Sequence, residues 1–88
     1  MGALTLEARL PGLPAEPNAD ALFRLGLRLS TPASDGADDP VTAHALFDLA
    51  ARLGSLEAKV YRRELGDEMD PDDVAEANRV VREWLARA

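Results

Sequence analysis

From position 19 onward the apolar residues recur at helical spacing. Leu22, Leu25, Gly26 and Leu29 fall three or four apart, with Phe23 and Leu27 widening the stripe. This predicts a first helix from about Asn18 or Asp20 to Leu29, either polar residue capping the free backbone N–H groups at its start. Ser30 to Asp39 is a run of Ser, Thr, Pro, Gly and Asp and reads as a loop. A second helix opens at Asp39-Pro40, an acidic cap followed by proline in the first turn. Its stripe is Ala43, Leu46, Phe47, Ala50 and Leu53, and Gly54 supplies the left-handed residue that ends it. A third helix is expected from Ser55 to Leu65, with Ala58, Tyr61 and Leu65 as its seam, Leu56 and Val60 beside them, and Gly66 ending or loosening it. A fourth opens at Asp70-Pro71-Asp72-Asp73 and runs almost to Ala88, with Val74, Ala77, Val81, Trp84, Leu85 and Ala88 on its apolar face. Its first-turn acids and Arg87 in its last turn complement the helix dipole. Arg79–Glu83 and Glu83–Arg87 are spaced to pair along its wet side.

Residues 1–18 follow another rule. Pro11, Pro14 and Pro17, with Gly12 among them, forbid a continuous helix. Before them Leu4, Leu6, Ala8 and Leu10 alternate with Thr5, Glu7 and Arg9, although Leu6 and Leu10 also fit one helical turn. This segment is expected to be an extended arm or loose cap on a helical domain spanning residues 19–88.

The two helix pairs echo each other. Ala21 corresponds to Ala58, 37 positions on, while Ala43, Leu46, Phe47, Ala50 and Ala51 correspond to Ala77, Val80, Val81, Trp84 and Leu85, each 34 positions on. Such a period of two helices predicts an all-α fold of two helix-turn-helix repeats, four helices stacked as a short superhelix. The small residues Ala21, Leu25-Gly26, Gly36, Asp39, Ala43, Ala50-Ala51, Gly54 and Ala58 stand at the spacings of the Sel-one-like repeat, a relative of the tetratricopeptide repeat, which residues 19–58 resemble. In the second unit Arg62-Arg63 replace Leu-Gly and Trp84-Leu85 replace Ala-Ala, while Asp73 and Ala77 are kept. The first unit has Leu29 and Leu46 where the family carries Tyr and Trp. The resemblance implies an adaptor that binds a partner protein on a helical face. Two rival classes are a structural end cap of a larger assembly and a helix-turn-helix nucleic-acid binder.

Composition narrows these classes. The 88 residues make one small domain, and the net charge of −6 opposes nucleic acid and anionic membranes. There is no cysteine, which excludes disulfides and thiolate metal sites. Glu7 and Arg9 interrupt the apolar run that a secretory leader needs, so a cytoplasmic location is expected.

Little in the chain points to catalysis. His44 and Asp48 are four apart and share a face, but two ligands fall short of the three or four a metal site takes, and His44 is expected to be an ordinary, partly exposed residue. Asp35, Asp38 and Asp39 lack the alternating ligand pattern of a calcium loop. Ser30, Thr31, Ser34 and Ser55 have no evident base. No enzyme activity and no cofactor are expected. Lys59, Arg62 and Arg63 share one helix face beside Tyr61, a positive stripe suited to an acidic segment of another protein, although a merely solvated face reads the same way. Two repeats also leave apolar end faces uncovered. Either the arm covers them or the chain forms a homodimer through Phe23, Leu27, Val80 or Trp84.

Overall fold

The computed structural model describes residues 4–10, 13, 17–32, 36 and 38–87. Among these the protein is all-helical, with five helices: α1 (Leu6–Arg9), α2 (Ala19–Ser30), α3 (Pro40–Arg52), α4 (Leu56–Glu68) and α5 (Pro71–Ala86). No helix is long and apolar enough to cross a membrane. Asp35 and the prolines at 11 and 14 lie outside the described residues.

The helix starts follow local chemistry. Asn18, Asp39 and Ser55 each accept a hydrogen bond from the backbone N–H three residues on, and Pro40 and Pro71 occupy first-turn positions where no N–H is needed. Asp70 caps α5 by position only, without a side-chain hydrogen bond. After α3 the chain reverses at Gly54, whose φ of 109° a residue with a Cβ would adopt only under strain.

α3 is the axis of the fold. Every residue from Thr42 to Ala51 is buried, and α2, α4 and α5 all pack on it. The predicted stripe of α3 is therefore only part of its buried surface, and Leu53, expected at the end of that stripe, is instead an exposed C-cap. The α2–α3 contact is closest at Gly26, where a Cβ would meet the Phe47 ring at 2.6 and 2.8 Å. Phe47 has no room to retreat: it is fully buried, with the rings of Phe23 and Tyr61 centred 5.9 and 5.6 Å away.

The arm is docked. Thr5 caps α1, and Leu6 is fully buried in the core that includes Val80 and Val81, while Leu10 and Leu13 pack against that core. Ion pairs fasten it to α5. Arg9 donates to Glu76 at 2.8 Å, Arg87 to Glu7 at 2.7 Å, and Arg79 to the Leu4 carbonyl at 2.8 Å. Two guanidinium groups, Arg79 and Arg9, converge on Glu76 and hold its carboxyl down to about 2. This arrangement takes Arg79 away from the expected Glu83, although the Glu83–Arg87 pair forms at 3.0 Å.

Two further expectations are corrected. α4 runs past the expected Leu65 to Glu68, and Gly66 lies within it against the His44 imidazole, which a Cβ there would approach to 3.2 Å. Val80 is a core residue with no exposed surface, so it cannot belong to a self-association face. Phe23, Leu27 and Trp84 are only partly buried and pack against the core; among the described residues the large apolar side chains most open to solvent are Leu4, Leu53, Leu56 and Val60.

The Gly26–Phe47 contact makes a direct prediction. Alanine at a helical glycine normally stabilises by about 1 kcal/mol, but here the added methyl strikes a boxed ring, and overpacking costs about 1–3 kcal/mol. Gly26→Ala is expected to lower the urea midpoint, and adding Phe47→Leu is expected to recover part of that loss. A rise in midpoint for Gly26→Ala alone would show that the ring yields freely.

Candidate functional site

The second helix pair is built differently from the first. α4 and α5 each pack on α3 rather than closely on one another. The position that matches Gly26, 37 residues on, is Arg63, and Leu25 is matched by Arg62. A glycine invites a neighbouring ring to within contact, whereas two guanidinium groups demand water or counter-charges. The helices stand apart as a result, leaving an open groove of about 780 Å³.

Its floor is α3, which contributes His44, Asp48 and Arg52; one wall is α4, with Lys59, Arg62, Arg63, Gly66 and Asp67; the other is α5, with Val74 and Asn78. Four cationic side chains thus face two carboxylates in a chain whose net charge is negative. Asp48 is buried and accepts from Arg62 at 2.6 Å, with Arg52 at 3.4 Å. These partners let a carboxylate sit on a buried helix. Among the described residues Lys59 and Arg63 form no ion pair, and both are exposed.

His44 is buried, against the expectation of partial exposure, and its Nδ1 has no hydrogen-bond partner among the described residues. Burial disfavours the imidazolium and holds the group below its ordinary value of 6.5; the Asp48 carboxylate pulls upward and the Arg62 guanidinium adds to the lowering. His44 and Asp48 do face the same groove. Among the described residues, however, no group of three or more His, Cys, Asp or Glu side chains could hold a metal ion.

The structure keeps the predicted stripe together and separates Tyr61 from it. Lys59, Arg62 and Arg63 come together on the groove. Tyr61 lies on the opposite flank of α4, edge-on to Phe23 with ring centres 5.3 Å apart, as part of the aromatic cluster around Phe47. Sequence reasoning missed Arg52, Asp67 and Asn78. Arg52 was findable, since it stands four residues after Asp48; Asn78 was not, because nothing local shows that α5 leans on α3 across a gap from α4.

The lowered His44 value implies a sign for the pH dependence. The unfolded chain takes up the proton at higher pH than the folded chain does, so the stability that depends on neutral His44 is present above pH 6.5 and is lost as the pH falls below it. Urea unfolding is expected to show wild type losing stability as the pH falls below 6.5. His44→Gln is expected to flatten that dependence, and an unchanged slope would assign the loss to another group.

Comparison of the chain with protein-family models, curated proteins and solved structures returns no match.

Proposed function

We propose that the protein is a small helical interaction module that receives an acidic segment of a partner protein in the groove between α3, α4 and α5. The observation that carries this reading is the placement of Arg52, Lys59, Arg62 and Arg63 on one open groove in a protein of net charge −6. Cationic heads gathered against the sign of the whole chain form a local field that steers a negatively charged partner. The groove is wide and polar, better suited to a chain segment than to a buried small molecule.

The resemblance of residues 19–58 to a Sel-one-like repeat supports the same reading. On this view α2–α3 is the intact hairpin of a short superhelix and α4–α5 its opened counterpart, with the groove occupying the place where a second small-residue contact is missing. The net charge disfavours the nucleic-acid alternative. The docked arm covers part of the α5 face through Leu6 and through the Arg9–Glu76 and Arg87–Glu7 pairs, which leaves less of that face open to an end-cap neighbour.

The chain offers a direct test. Lys59 is its only lysine, so the ε-amine in the groove is the one side-chain amine with which a docked carboxylate can form an amide under carbodiimide activation. A labelled oligoglutamate peptide is expected to bind more weakly as salt rises and to cross-link to Lys59. Lys59→Glu/Arg63→Glu is expected to weaken it by about tenfold, the effect of reversing two exposed charge pairs. Equal binding by the double variant would end this reading.

A further inference from the structure

The groove is not uniformly positive, and its polarity reads out the chemistry of the occupant. α3 and α4 run antiparallel across a short turn, so their residues fall into layers. Arg52, at the end of α3, lies level with Lys59 near the start of α4. The Arg62–Asp48 pair at 2.6 Å marks the middle. Gly66 against His44 marks the far end, where Asp67 and Val74 also line the groove. Asp70, Asp72 and Asp73 follow in the chain, at the α4–α5 junction and in the first turn of α5. One end thus carries Arg52 and Lys59, the middle holds the closed Arg62–Asp48 pair with Arg63 beside it, and the other end carries Asp67. Arg52 and His44 are eight residues apart, about 12 Å along the helix, a span that about four residues of extended chain would cover.

Building on the proposed function, we propose that the occupant is a bipolar segment of a partner protein. Its carboxylates lie at the Arg52–Lys59 end, and its basic side chains, about four residues away, lie at the Asp67 end. A purely acidic segment satisfies only half of the groove and places negative charge beside Asp67. A bipolar one matches both ends, and its opposite charges fix the direction in which it lies, the use to which complementary charge is best suited.

Three labelled peptides test this by fluorescence anisotropy: two glutamates, two serines and two arginines in that order; the same six residues with the charges alternating; and an acid-only version with serine in place of arginine. The block-ordered peptide is expected to bind more tightly than the alternating one. Asp67 is exposed, so Asp67→Arg leaves the core untouched. It is expected to weaken the block-ordered peptide about fivefold and to tighten the acid-only peptide, opposite signs that a general loss of structure would not produce. If Lys59→Glu/Arg63→Glu leaves acid-only binding unchanged, the groove is not the site and both proposals fall. If acid-only binding depends on Lys59 and Arg63 while Asp67→Arg shifts both peptides in the same direction, the docking reading stands and the bipolar occupant is refuted.

Discussion

The fold rests on a helix without a solvent face. From Thr42 to Ala51 α3 is enclosed by three neighbours, and in a chain of 88 residues one fully buried helix is an efficient way to build a core. Enclosure on every side requires something small on at least one of them, and Gly26 provides it by admitting the Phe47 ring. On the opposite side enclosure has to accommodate His44 and Asp48, which are polar. Asp48 is tolerated through Arg62 and Arg52, and His44 by remaining neutral. The groove follows from that accommodation: guanidinium groups that neutralise a buried carboxylate need water behind them, so α4 and α5 cannot close over it.

Much of this architecture is legible in the sequence because it is local. Asn18, Asp39-Pro40, Ser55 and Gly54 each act within a few residues of themselves, and the helices they delimit fall close to the expected places. The failures share one cause. An amphipathic stripe assumes a single buried face, so it leaves His44 partly exposed and counts Leu53 among the core residues. Gly66 reads as a stop because a glycine's local preference is to end a helix, yet here a tertiary contact with His44 makes the absence of a Cβ useful within α4. The arm is similar. Leu4 to Leu10 alternates as a strand would and also fits one helical turn, and the Thr5 cap together with contact with α5 goes with the turn.

The same distinction separates the groove residues. Lys59, Arg62 and Arg63 are recognisable from helical spacing alone, since three basic residues at three- and four-residue intervals must share a side. Tyr61 is adjacent to them in sequence but 100° away per residue on the helix, and α2 supplies an aromatic partner that draws it to the other flank. The α5 contribution depends on how far two helices stand apart, a property of the whole packing rather than of either segment.

The ion pairs divide into two classes with different consequences. Arg9 from the arm and Arg79 from α5 converge on Glu76, and Arg87 reaches Glu7 of the arm, so these pairs close a face and act for the fold. In the groove the central pair is closed while the outer charges remain solvated. An open polar groove gives up little water when a segment enters, so on the proposed reading affinity stays modest and most of the discrimination comes from where charges sit. Exposed charges more than a Debye length apart, about 8 Å at physiological salt, hardly sense one another. The cationic and acidic ends, about 12 Å apart along α3, would then act as two independent recognition points rather than cancelling, and a closed Arg62–Asp48 pair between them keeps that separation fixed.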